Sequence, residues 1–261
     1  MAVKTKNLAD GELICEANGR LVTLTINRPA KANALSTPIL EAIQAVCEQI
    51  ESDDALTGLV ITGQGDRVFS GGADLKEMQR SESDPTYADR YYGLWASVTD
   101  TLETMPIPVI ASINGACVAG GLSLALACDI RVASDNAFLS YPRIADGHLP
   151  GRFNLTRLIE LVGEPRTKLV MLLGKQVFAE EACQWGLVDA IIDSNSADGT
   201  FTELLAPLSA SSGALIRASK ALVDHADRDD AWTLAAAAIS QGDSDALNKL
   251  IALRETRRTL P

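Results

Sequence analysis

Two glycine pairs are the residues of this chain best suited to chemistry. Phe69–Met78 reads FSGGADLKEM, and Ile107–Arg131 reads IPVIASINGACVAGGLSLALACDIR. In each, an apolar stretch meets a Gly-Gly turn (Gly71-Gly72, Gly120-Gly121) that opens a helical pattern. Backbone N–H groups in the first turn of a helix have no intrahelical acceptor, and the helix dipole is positive there. Glycine lets another group approach that backbone closely. Two such N–H sources make a two-donor cradle for a negative oxygen, the device that stabilises a developing enolate or a tetrahedral oxyanion.

A second cluster lies in Ser140–Arg152, SYPRIADGHLPGR, which gathers Tyr141, Arg143, Asp146, His148 and Arg152. An unperturbed His titrates near pH ~6.5 and serves as acid or base. Asp146 can orient it or take a proton itself. The competing reading is a loop Asp and a surface or capping His. Arg143 stays protonated, and burying it without an anionic partner is costly. Asp146, Glu160, solvent or an anionic substrate group are the available partners. GLSLA (Gly121–Ala125) has the outline of a nucleophile elbow. An elbow serine sits on the strand-to-helix turn, whereas Ser123 falls inside an apolar helix.

The elements that position these residues follow from the pattern. Glu12–Ala17 and Arg20–Ile26 flank Asn18-Gly19, a two-residue hairpin signal. Ser36 is placed to cap a helix running to about Ser52, with Pro38 in its first turn. Gly58–Thr62 and Val109–Ile113 read as buried strands, with Asn114-Gly115 a turn. Leu75–Gln79 opens a helix, Ser81–Pro85 reads as a mobile loop, and Tyr87–Thr104 is helical. Short strands follow at Ile130–Ala133, Ala137–Leu139 and Val188–Ile192, with helices at about 151–162, 165–173 and Phe178–Trp185. Asp193–Gly199 is the best linker, and helical patterns at 200–209, 213–226, 230–240 and 243–258 fill the rest. The predicted division is a core over 1–195 and a helical region over 196–261.

The chain has 261 residues, enough to bury a large core without a metal or disulfide staple. Its 34 acidic and 23 basic residues give a net charge of −11. That disfavours nucleic acid and anionic membranes as partners, since both call for a basic surface. Five widely spaced cysteines and two histidines argue against a zinc or iron–sulfur site. The cysteines read as buried free thiols of a reducing compartment. The polar N-terminus, MAVKTKNLADGE, has no signal-peptide core, so a cytoplasmic location is expected.

The glycine segments, NRPAKANAL (Asn27–Leu35), ACDIRVAS (Ala127–Ser134) and FAEEACQWGLVDAII (Phe178–Ile192) together resemble the crotonase, or enoyl-CoA hydratase/isomerase, superfamily. The resemblance spans roughly residues 10–195. It implies an α/β fold, a spiral of repeated ββα units with a C-terminal helical trimerisation domain. It also implies a homotrimer or dimer of trimers acting on an acyl-CoA, with coenzyme A as part of the substrate and no separate cofactor or metal.

By the same resemblance, the N–H groups of Ala73 and Gly120 hold the thioester oxygen, with Gly72 and Gly121 beside them. Lys31, Ala32 and Ala34 correspond to the adenine pocket, with Asp74 and Leu75 nearby. Other basic candidates for a polyanionic CoA are Lys76, Arg254, Arg257 and Arg258. Ala119 stands where many relatives carry a third glycine. Hydratases of the family use two glutamates, and the matching positions here are Ser123 and Arg143. A serine hydroxyl without an activating partner is a poor base, and arginine is none. This points to isomerisation, decarboxylation or C–C hydrolysis rather than conventional hydration. Asp146 or His148 would carry protons, and Arg143 would bind a second carboxylate on the acyl chain. The rival expectation is a non-catalytic acyl-CoA-binding relative.

Overall fold

The β-branched runs pair into two sheets, and the helices between them carry the glycine turns. The computed structural model describes residues 4–194, 197–225, 229–240 and 244–252. In chain order the elements are β1 (Lys4–Leu8), β2 (Leu13–Asn18), β3 (Leu21–Ile26), α1 (Thr37–Glu51), β4 (Gly58–Gly63) and β5 (Val68–Ser70). Next come α2 (Leu75–Ser83), α3 (Pro85–Glu103), β6 (Val109–Ile113), β7 (Ala116–Val118), α4 (Gly120–Leu126), β8 (Ile130–Ser134) and β9 (Phe138–Ser140). A 3-10 turn, Pro142–Asp146, leads to α5 (Arg152–Leu173), β10 (Val177–Phe178), α6 (Ala179–Trp185) and β11 (Ala190–Ile192). Four helices close the described chain: α7 (Ala197–Ala210), α8 (Gly213–Asp224), α9 (Asp229–Ser240) and α10 (Ser244–Ala252).

The larger sheet has the order β1-β2-β3-β4-β6-β8-β11, antiparallel at its first three strands and parallel from β3 onward. The smaller has the order β10-β9-β7-β5. Successive turns of chain place one strand in each sheet (β4 and β5, β6 and β7, β8 and β9) and follow them with helices. This is the expected spiral of ββα units. Leu24, Ile26, Ile61, Phe69, Leu122, Leu126 and Leu139 belong to the main core formed with these helices. Leu205 of α7 packs with Val60, Ile110, Val132 and Ile192 of the larger sheet, and α8–α10 share a small core of Ala218, Ala221, Ala231, Ala235 and Leu250.

Local differences from expectation have physical causes. The hairpin turns at Gly19-Arg20, because Asn18 pairs with Leu21 and the positive φ of 62° falls on Gly19. The Ser81–Pro85 stretch is no loop. Asp84 caps α3 by accepting from the Tyr87 N–H, and Pro85 opens that helix. Ser36 stands at the N-cap of α1, but its side chain bonds no helix N–H; Pro38 removes one it could serve, and the Thr37 N–H donates to Glu77. The break expected near residue 163 is present: α5 is two helical stretches parted at Gly163 (φ 78°, ψ 161°). β7 was absent from the expected strands. It forms because the Asn114 amide bonds Gly63 and Gly65 carbonyls and turns the chain into the second sheet. Of the five free cysteines, Cys47, Cys117 and Cys128 are buried, while Cys15 is half-buried and Cys183 exposed, correcting the all-buried reading.

Candidate active site

The turn after β5 and the turn before α4 meet. Ala73 is bracketed by two bonds to Leu35: the Leu35 N–H donates to the Gly72 carbonyl, and the Asp74 N–H donates to the Leu35 carbonyl. Gly72 has φ 103°, and a methyl placed on it would sit 2.7 Å from the Gly120 nitrogen. A methyl on Gly120 would sit 3.1 Å from the Ala73 nitrogen and 2.8 Å from Trp95 Cη2. Gly72 therefore has no room for a side chain, and a methyl on Gly120 would have to displace Trp95 and crowd the Ala73 nitrogen. Neither the Ala73 nor the Gly120 N–H has an acceptor among the described residues. Two neighbouring backbone donors left in this state are the arrangement that receives an oxyanion.

Both residues line a cavity of about 440 Å³. Helices α2 and α3 supply an apolar and aromatic wall with Leu75, Met78, Tyr91, Tyr92, Trp95, Ala96 and Thr99. Tyr87, Tyr91 and Trp95 recur at helical spacing, with Tyr87 and Tyr91 stacked at 5.8 Å and Tyr91 edge-on to Trp95 at 6.5 Å. The opposite wall is Tyr141, Arg143, His148 and Leu149, then Gly151–Asn154 at the start of α5. Leu75 and Leu149 are 70% and 87% exposed, so apolar side chains stand at the rim without core contacts to hold them. Among the described residues no Asp or Glu side chain lines the cavity.

The sequence-expected residues divide by position. Ala73, Leu75, Gly120, Ser123, Arg143 and His148 line the cavity. Gly121 does not; a methyl there would lie 2.3 Å from the Ser70 carbonyl oxygen, so this glycine serves the packing of α4 on β5. Gly72 stands behind the donors, and its N–H bonds the Ser70 hydroxyl. Lys31 and Ala32 are exposed in a turn beside Gly71, whose N–H donates to the Ala32 carbonyl. The Ala34 carbonyl accepts from Arg28. Asp74 caps α2 through the Lys76 N–H and pairs with Arg28 at 2.9 Å, so its carboxylate is engaged by the protein itself. Burial pushes the Asp74 carboxyl up, but the Arg28 and backbone bonds outweigh it and hold it below the usual range.

Ser123 is buried, and its hydroxyl donates back to the Ala119 carbonyl at 3.3 Å. That hydroxyl meets no basic group among the described residues that would activate it as a nucleophile. His148 Nε2 lies 3.1 Å from Glu82 Oε1. Glu82 was missed in the sequence because nothing local links α2 to the segment after the 3-10 turn. The Asp146 side chain lies outside the described residues, as do Arg254, Arg257 and Arg258. Tyr141 is buried beside Arg143, and its hydroxyl accepts from Asn154 at 3.3 Å. Burial raises the Tyr141 hydroxyl above its ordinary value, with Asn154 and the Arg143 charge opposing, so it keeps its proton at neutral pH.

No group of three or more possible metal-ligating side chains occurs among the described residues. Nor is any described helix long and apolar enough to cross a membrane.

Known proteins resemble this chain in sequence and in fold. The chain is 34% identical over 213 residues to a putative enoyl-CoA hydratase/isomerase, YngF, of Bacillus subtilis, covering 82% of this chain and 81% of that one. It is 32% identical over 213 residues to the short-chain-enoyl-CoA hydratase of Clostridium acetobutylicum, covering 81% and 80%. The crystal structure of an enoyl-CoA hydratase from Bacillus anthracis superposes with a TM-score of 0.80 at 26% identity, covering 97% and 96%. The sequence profile of the enoyl-CoA hydratase/isomerase family matches residues 16–256, and the chain belongs to that family.

Proposed function

We propose that this protein is an acyl-CoA enzyme of the lyase or isomerase kind in which Ala73 and Gly120 hold the thioester oxygen as an enolate forms. The observation carrying this reading is the pair of acceptor-less N–H groups on the cavity wall, brought together by glycines that leave no room for a methyl. When an α-proton or an α-substituent leaves, the carbonyl oxygen gains charge. Donors fixed beforehand in a poorly hydrated site then stabilise that charge without reorganising.

Proton movement falls to His148. It lines the cavity, and Glu82 fixes one ring nitrogen and stabilises the imidazolium that forms on taking a proton. Neither residue at the family's glutamate positions supplies a base. Ser123 bonds its own helix, and Arg143 stays protonated. This favours isomerisation, decarboxylation or C–C hydrolysis over addition of water by a carboxylate pair. The Lys31–Ala34 turn, adjoining Gly71, is the proposed seat of the adenine.

The test is mass spectrometry of crotonyl-, methylmalonyl-, glutaconyl- and cyclic β-keto-acyl-CoA after incubation in deuterium oxide and, separately, in heavy-oxygen water. The expected result is deuterium uptake, loss of carbon dioxide or ring opening, reduced about 10²–10⁴-fold in His148→Gln. Addition of labelled water to crotonyl-CoA at a rate unaffected by His148→Gln would overturn this assignment. Tight binding of every ester with no change in any would favour the non-catalytic relative.

A further inference from the structure

The cavity is walled by aromatic rings, yet it holds hydrogen-bonding groups that the chain itself leaves unused. Tyr91, Tyr92 and Trp95 stand on one side, and Tyr141 and Phe153 on the other. Of the neutral polar groups in the lining, Thr99 and Ser123 donate to carbonyls of the backbone turn before them. Asn154 and Tyr141 differ. Each is only 7% exposed, and the Asn154 amide donates to the Tyr141 hydroxyl at 3.3 Å. Asn154 Oδ1 then accepts nothing, and the Tyr141 proton has no acceptor among the described residues. Turning the amide over exchanges the two roles and leaves the same surplus, one donor and one acceptor. Buried polar groups are as a rule paired. On the facing wall, the buried Tyr91 hydroxyl has the Trp95 indole N–H beside it, which is a donor, so the Tyr91 proton also lacks an acceptor.

We infer that the Asn154–Tyr141 pair is a hydroxyl-binding subsite and that the acyl group this enzyme takes ends in a hydroxylated aromatic ring. This rests on reading the cavity as an acyl-CoA site. A hydroxyl is donor and acceptor at once, so one such group meets both halves of the surplus. A ketone or ether oxygen meets only the donor, and an alkyl chain neither. A planar ring suits the walls, because aromatic groups pack in offset and edge-on pairs that a methylene chain does not form. A site built to bond a hydroxyl also rejects the analogue lacking it, since its own polar groups then stay buried and unpaired.

Isothermal titration calorimetry on the full chain would compare meta- and para-hydroxyphenylpropanoyl-CoA with phenylpropanoyl-CoA, cyclohexylpropanoyl-CoA and free CoA. At least one hydroxyphenyl ester is expected to bind about tenfold or more tightly than the phenyl ester, and the phenyl ester more tightly than the cyclohexyl one. Asn154→Leu and Tyr141→Phe should each bring the hydroxyphenyl and phenyl esters close to equality, with free CoA bound as by the wild type. A pair that only shaped the wall would weaken every ester together and leave their ratio unmoved, which would overturn the inference. Equal binding of the phenyl and both hydroxyphenyl esters by the wild type would overturn it without any variant, as would cyclohexyl binding equal to phenyl. So would a hydroxyl preference that only Tyr91→Phe removes, because the hydroxyl would then lie against the facing wall. If free CoA and every ester fail to bind the wild type, the acyl-CoA reading itself fails and the subsite falls with it.

Discussion

Ala119 occupies a backbone conformation that a side chain resists, with φ 51° and ψ −113° immediately before Gly120. Such positions cost about 1–3 kcal/mol and persist where the surroundings impose them. Here the Ala119 N–H is pinned to the Ser140 carbonyl while its own carbonyl accepts from the Ser123 N–H and hydroxyl. Replacing Ala119 with Gly should relieve the strain and raise the thermal midpoint by about 2–4 °C per kcal/mol recovered, read by calorimetry. The Gly120→Ala enzyme should behave oppositely at the site. Its methyl would press on Trp95 and on the Ala73 N–H, so kcat should fall about 10²–10³-fold, as when one oxyanion donor is lost. Steady-state kinetics against the best ester would show it. The two glycine turns were legible in the sequence because glycine announces a close backbone approach. Glu82 was not, because its meeting with His148 depends on how α2 crosses the start of α5.

Among the elements, α2 is tied at its first turn to several segments distant in the chain. Its cap, Asp74, bonds Arg28, and Arg28 also reaches Glu12 at 2.8 Å and the Ala34 carbonyl. The Asp74 carboxyl is held below its ordinary value, so its folded pKa is lower than its unfolded one. Its contribution is therefore complete above the unfolded carboxyl range and is lost as pH falls through the folded value. Urea midpoints of wild type and Asp74→Asn, measured from pH 7 down to 2, should differ most near neutrality and converge in acid. One turn into the same helix, Glu77 accepts from the Thr37 N–H and hydroxyl and so closes the start of α1. Helix periodicity and breakers made α1, α3 and the Gly163 break readable in advance. The Ser81–Pro85 stretch was misread because Ser, Glu and Asp suggest a loop by composition, whereas Asp84-Pro85 is a helix start by position.

On the scale of the molecule, the helical C-terminal region is fastened to α1 and to the segments flanking β6 and β8 by buried cations. Lys220 of α8 pairs with Asp129 and donates to the Ile107 carbonyl, and Arg217 donates to the Ile50 and Asp53 carbonyls. Lys220→Met should leave the half-buried Asp129 without its counter-charge and cost about 1–3 kcal/mol of unfolding free energy, measured by denaturant titration. The spiral architecture was expected through the family resemblance that the ordered glycine, strand and helix segments carry. The pairing that locks α8 onto the core was not, because a lysine within an amphipathic helix looks like any solvated one. The bracket around Ala73 reaches further than packing. Leu35 grips the chain on both sides of that donor, and Leu35 directly follows the Lys31–Ala34 turn. If Ala73 holds the thioester oxygen as proposed, a ligand seated on that turn pulls on the same peptide that meets the reacting oxygen. Under the proposed reading, the nucleotide acts as a remote handle whose grip sets the donor's aim. An ester stripped to its pantetheine arm would then lose speed as well as affinity, because distant binding energy is what trues the site for the transition state.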